Sequence, residues 1–254
     1  MESTNSDAEH IVKSYDDELQ RLGALIVRMG GLAESQIASA IQSVAQRNSE
    51  LAERVIEGDS QVDALEDEIG QFTTRLFALR QPMAVDLRFI LASLKISADI
   101  ERIGDYGKNV AKRAIVLNQY PPAEVVFGVR RMGSMVQGMI KEVLDAYVER
   151  DLALAVAVWQ RDHEVDQLYN SLFRELLTYM MEDPRTITVG THLMFMAKNI
   201  ERIGDLTTNV AENVYFMVKG TPLDAARPKG DDTSTILGPD AEPAATSTEV
   251  KAPS

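Results

Sequence analysis

Two segments one hundred residues apart carry nearly the same text. "DIERIGDYGKNVAKRA" fills residues 99–114 and "NIERIGDLTTNVAENV" fills 199–214, with nine of sixteen positions identical. The pentapeptide from Glu101 to Asp105 recurs whole from Glu201 to Asp205. Upstream, Asp59, Val62 and Asp63 match Asp162, Val165 and Asp166 at an offset of 103, and Pro82 is matched by Pro184. A repeat of this kind means that one structural unit is used twice.

The unit is helical. Val55, Val62, Ile69 and Leu76 fall seven apart, as do Val158, Val165 and Leu172, and no window alternates like a strand. Seven-residue spacing over several turns belongs to long helices packed at shallow angles. Breakers cut the pattern: "RNSE" with Ser49 as N-cap, Pro82, "YPPAE" at 120–124, Arg150-Asp151 and Asp183-Pro184. The expected helices are 8–46, 51–79, 84–117, 122–149, 152–181 and 186–218. The fold class is therefore all-α: six long helices forming two tandem, duplicated three-helix bundles over 8–118 and 119–219. Five of the nine prolines lie in 220–254 among Ser, Thr, Asp and Ala. Such a composition buries too little apolar surface to offset ordering entropy, so a disordered C-terminal tail is expected there.

Composition removes whole classes of function. With no cysteine there is no disulfide, thiol chemistry or Cys-bound zinc. A net charge of −13 argues against a nucleic-acid partner and admits cations or a basic protein. The first residues lack the basic and apolar regions of a secretory signal. The longest apolar run, "LALAVAVW", is far short of the ~20 residues of a membrane span. A cytoplasmic protein without direct membrane insertion is expected.

The duplicated acids carry the chemistry. Glu101 and Asp105 lie about 40° apart on one helix face, as do Glu201 and Asp205. That face is apolar before the motif (Leu87, Ile90, Leu94, Ala98; Ile187, Met194, Ala197) and turns acidic on reaching it. In the preceding helices Asp59 and Asp63, with Glu66 on the same edge, and Asp162 and Asp166 border the core stripe. If neighbouring helices pack side by side, each unit gathers four carboxylates: Asp59, Asp63, Glu101 and Asp105, or Asp162, Asp166, Glu201 and Asp205. Close to a core such acids must be protonated, paired or metal-bound. Oxygen donors without Cys or an adjacent His suit Mg²⁺, Ca²⁺, Mn²⁺ or iron. Asn109 and Asn209 continue the face one turn on. The competing reading is a solvated acidic surface, salt-bridged by Arg102, Arg202 or Lys108. Gly104 and Gly204, costly inside helices, suggest close approach of another group. His10, His163 and His192 form no cluster, and neither Glu-x-x-His nor a phosphate loop occurs.

The segments "RQPMAVDLRFILASLKISADIERIGDYGKNVAKRA" (80–114) and "HLMFMAKNIERIGDLTTNVAENV" (192–214), with D-x-x-V-D in the helices before them, strongly resemble the PhoU family. The resemblance covers about 10–218. It implies a non-enzymatic, cytoplasmic and commonly dimeric protein of phosphate homeostasis. Such a protein links the high-affinity phosphate ABC transporter, through its ATPase subunit, to a phosphate-sensing histidine kinase and keeps the starvation response off when phosphate is plentiful. Membrane association would come only through the transporter complex. The resemblance also implies metal ions (Mg, Mn, Fe or Zn) on the acidic motifs, which fall on Asp59, Asp63, Glu101, Asp105, Asp162, Asp166, Glu201 and Asp205, with Glu66, Asn109, Asn209 and Glu212 as further candidates. There are departures: Leu206 stands where many members carry His, Lys112 is the counterpart of Glu212, and Tyr169 that of Glu66. The two sites are therefore expected to differ. Two readings compete with the adaptor: a carboxylate-metal enzyme acting on a phosphorylated substrate, and a structural helical scaffold without metal.

Overall fold

The computed structural model describes residues 3–123 and 125–223, with side chains from Ser14 onward. Most of the tail expected to be disordered, from residue 224, lies outside the described residues, as does the side chain of His10. Helix α1 (Ser3–Gln46) is followed by α2 (Ser49–Gly58), α3 (Ser60–Arg80) and α4 (Ala84–Leu117). The second half repeats the series as α5 (Val126–Glu149), α6 (Leu152–Gln160), α7 (Asp162–Glu182) and α8 (Ile187–Lys219), with a 3₁₀ turn (Pro184–Thr186) before α8. These are the six expected rods, the second and fifth each interrupted by one residue. The interruptions fall at Asp59 and Arg161, whose backbones stay near helical angles, so the chain continues without reversing. Gly58 and Ser60, both weak helix formers, flank the first.

The turns between the first and second rods are duplicated in detail. Arg47 and Arg150 both adopt left-handed backbone angles, with φ of 53° and 55°. The next residue caps the new helix: Asn48 accepts from Leu51 N at 3.0 Å, and Asp151 from Ala153 N and Leu154 N at 2.8 and 3.1 Å. Asn48, rather than Ser49, is therefore the N-cap; its side-chain oxygen reaches the orphan amide of the first turn.

Each half packs its first and last rods together, and the halves then join along α4 with α8 and α1 with α5. The result is one continuous apolar core rather than two separate ones. Ile96, Ile100, Ile103 and Val110 of α4 are buried, as are Met196, Ile200, Ile203 and Val210 of α8. Between α1 and α5 the fit is reciprocal. Gly30 leaves the space filled by Leu144, and Gly133 leaves the space filled by Ile41. A β-carbon at either glycine would collide with that side chain, which is why glycine is tolerated in these helix interiors. No described helix is long and apolar enough to cross a membrane.

Candidate metal centre

Packing places the acidic face of α4 against the α2–α3 junction. Asp59, at that junction, is buried, and its carbonyl accepts from Val62 N and Asp63 N at 2.9 and 3.2 Å, restarting the helix. Its carboxylate accepts from Gln36 Nε2 of α1 at 2.7 Å and from Lys108 Nζ of α4. Lys108 also pairs with Asp105, so one ammonium joins acids from two rods. Burial opposes the charge on Lys108, but hydrogen bonds to Asp105 and Asp59 outweigh it and raise its pKa above the usual lysine value. Glu101 is shifted upward by burial and then by the negative charges of Asp105, Asp63, Glu66 and Asp59. Burial also raises Asp63, followed by Asp59, with Lys108 pulling the other way. Asp59 and Asp105 thus meet through Lys108, and Glu101 and Asp63 lie near enough to feel the charge of neighbouring acids.

The second set is more deeply covered. Asp162, Asp166 and Glu201 are 2%, 3% and 4% exposed, while Asp205 is half-buried. Lys198 pairs with Glu201 at 2.9 Å and lies 4.9 Å over the ring of buried Tyr169. Asp162, Asp166 and Asp205 also engage neighbouring groups. Thr208 occupies the place equivalent to Lys108 and donates to the Asp205 carbonyl at 2.7 Å. The lysines thus reach their sets from opposite ends of the motif.

The weaker candidates lie elsewhere or apart. Asn209 hydrogen-bonds Asp99 across the α4–α8 contact, and Glu212 accepts from Trp159 Nε1 at 2.9 Å. Asn109 is half-buried. Arg202, offered above as a salt-bridge partner of the acidic face, lies 5.6 Å over the ring of Tyr106 on α4. His163 is exposed beside Gln167, and His192 faces Arg113. Gly104 does face close neighbours: a β-carbon there would sit 3.3 Å from Gln36 Oε1 and 3.5 Å from Asp59 Oδ1. At Gly204 the corresponding neighbours are Val165, at 3.2 Å, and Val136.

Sequence reasoning missed Gln36 and Lys198. Gln36 is a lone amide on an apolar stripe of α1, a signal visible only once its partner helix is known. Among the described residues no three Asp, Glu or His side chains converge as a ready-made metal cage. The donor chemistry nevertheless fits a hard cation: Glu101 and Asp63 are pushed upward by burial and neighbouring acids, and an ammonium is already drawn onto Asp59 and Asp105.

The chain matches the PhoU domain over residues 26–114 and again over 129–214. It is 54% identical over 224 residues to the phosphate-specific transport system accessory protein PhoU homolog of Caulobacter vibrioides, spanning 88% of this chain and 97% of that one. A Xylella fastidiosa protein of the same description is 50% identical, over 89% of this chain and 96% of its own. Among solved structures, PhoU from Pseudomonas aeruginosa superposes with a TM-score of 0.80 at 41% identity, covering 82% of this chain and all of that one. The phosphate transport system regulatory protein PhoU from Streptococcus pneumoniae gives 0.77 at 27% identity, over 83% of this chain. These relatives are described as accessory or regulatory proteins, not enzymes.

Proposed function

The chain belongs to the PhoU family, and on that premise we propose that it is a metal-binding regulatory adaptor of phosphate homeostasis. In this reading it links the ATPase subunit of the high-affinity phosphate ABC transporter to a phosphate-sensing histidine kinase and restrains the starvation response while phosphate is plentiful. It works in the cytoplasm as a homodimer and meets the membrane through the transporter. The observation that carries the reading is the match across both halves to relatives described as accessory proteins of phosphate transport. Exposed apolar side chains at the α3–α4 turn, Leu79 and Met83, support a docking end for a protein partner.

The candidate ligands are Asp59, Asp63, Glu101 and Asp105 in the first half and Asp162, Asp166, Glu201 and Asp205 in the second. A bound Mg, Mn, Fe or Zn ion would supply positive charge to acids that otherwise repel. The chain's own residues hold the scaffold: Asp59 joins α2 to α3, and α4 carries Glu101 and Asp105 to it.

Deleting the gene should derepress phosphate-scavenging genes in phosphate-rich medium; unchanged reporter expression would sink the adaptor reading. Protein purified without chelator should carry metal, and Glu101→Ala with Asp105→Ala should lower that content by about half. Equal metal in both preparations would refute the ligand assignment.

A further inference from the structure

We propose that the first carboxylate set is a cation-exchange site: the ammonium of Lys108 is its resident counter-ion, a hard divalent cation displaces it, and Gln36 Oε1 faces the incoming ion. The proposal rests on the metal-binding reading above and goes further by naming what the ion competes with and where a neutral ligand comes from.

Three observations carry it. Lys108 binds Asp59 of the α2–α3 junction and Asp105 of α4, which places one positive charge where a metal would join the same two rods. A lysine ammonium is a compact point charge on a flexible stem, and this side chain is 22% exposed, so it has a route to solvent. Gln36 is 8% exposed and its Nε2 donates to Asp59 Oδ1, and more weakly to the Gly104 carbonyl. That orientation leaves Oε1 buried without a hydrogen-bond partner. The amide is not easily reversed, because Oε1 would then oppose the Asp59 carboxylate. Side-chain amide oxygens are ordinary ligands of Mg²⁺, Ca²⁺ and Mn²⁺, which take mixed carboxylate and carbonyl shells.

Gly104 completes the arrangement. A β-carbon there would sit tight against Gln36 Oε1, at 3.3 Å, and in contact with Asp59 Oδ1, so the bare backbone leaves that space beside the oxygens free. The ammonium stands between Asp59 and Asp105, the place an ion would take to draw them together. The second half is built differently, with Thr208 in place of Lys108, Met139 at the position that matches Gln36, and its lysine, Lys198, placed before the motif.

The test is Mn²⁺ binding to the full chain, followed by electron paramagnetic resonance of the free ion and by amine labelling of Lys108 read by mass spectrometry. Lys108→Met should bind Mn²⁺ at one site about ten- to hundredfold tighter, because removing a competing charge moves affinity by decades. In the unmodified chain, labelling of Lys108 should rise several-fold when Mn²⁺ is added. Lys108→Arg, which keeps the charge, should bind no tighter than wild type, and Gln36→Leu should bind about tenfold more weakly. A Lys108→Met chain without tighter binding, or Lys108 labelling unmoved by Mn²⁺, overturns the exchange, as does a Lys108→Arg chain that tightens as much as Lys108→Met. If wild type binds Mn²⁺ and only the Lys108 effects are missing, the metal-binding reading survives. If no variant binds it, both fall. Should Lys108→Met fail to fold, the labelling of wild type decides.

Discussion

The two carboxylate sets descend from one motif on one pair of rods, yet they are neutralised in different ways. In the first, Lys108 stands three residues beyond Asp105 and reaches outward to Asp59, and the Asp105 side chain remains 44% exposed. In the second, Lys198 stands three residues before Glu201 and lies over the ring of buried Tyr169, the counterpart of Glu66. A duplicated backbone therefore fixes where acids lie, while a few non-motif residues decide how wet they are. Burial magnifies the difference, since an acid out of water depends far more on its partner than one on the surface.

Removing each lysine should break the comparison most sharply. Lys198→Ala strips its counter-ion from an almost fully buried Glu201 and should cost about 3 kcal/mol in chelator-containing buffer. Lys108→Ala also takes the cation from a buried acid, Asp59, but Asp59 keeps Gln36 and Asp105 keeps water, so the cost should be lower, about 2 kcal/mol. Urea unfolding of both variants would check the order, and equal losses would show that the burial difference is without energetic weight.

Tyr169→Glu would give the second half the residue of the first. It should cost roughly 2 kcal/mol by removing a buried ring and adding an acid to a crowded face. If the second set can take a cation, Mn²⁺ should restore part of that loss. A melting temperature that ignores Mn²⁺ would separate the two sets as different in kind.

The smallest effect lies between the halves. Asp99, whose counterpart is Asn199, is raised to about 6, chiefly by burial, while Arg102 and its hydrogen bond to Asn209 pull the other way. Its pKa in the folded chain is above the unfolded value near 3.9. Ionisation is thus disfavoured by the fold: Asp99 carries no penalty below pH ~4, the penalty grows from pH ~4 to ~6, and it is complete above that. Asp99→Asn, which makes the halves alike, should be more stable than wild type by about 1 kcal/mol at pH 7.5 and equal to it at pH 3.5. Stability curves that run parallel across that range would remove Asp99 as a source of pH dependence.

How far the sequence could be read follows from what a single helix reveals about itself. Seven-residue spacing, with proline and polar breaks, located all six rods, and the offset of the motifs announced the duplication. Wheel geometry put Glu101 and Asp105 on one face of α4, and the packing assumed for the preceding helix is met where Lys108 joins Asp59 to Asp105. What a wheel cannot show is the neighbour. Asn209 shares a face with Asp205 in projection, but α4 supplies Asp99 to it and Trp159 of α6 engages Glu212. Gln36 went unnoticed because nothing within α1 marks it. The interruption at Asp59 had a local signal in Gly58 and Ser60, whereas that at Arg161 had none.

The glycine exchange between α1 and α5 has a consequence for assembly. Gly30 receives Leu144 and Gly133 receives Ile41, at matching positions of the two repeats, so the contact is isologous, as at the dyad of a homodimer. Each repeat is thus shaped to fit a near-copy of itself, and the covalent link supplies that copy at fixed one-to-one stoichiometry. Once the two members of such a pair are tied together, they are free to diverge. One half of the chain can change its acids' surroundings while the other preserves the shared seam.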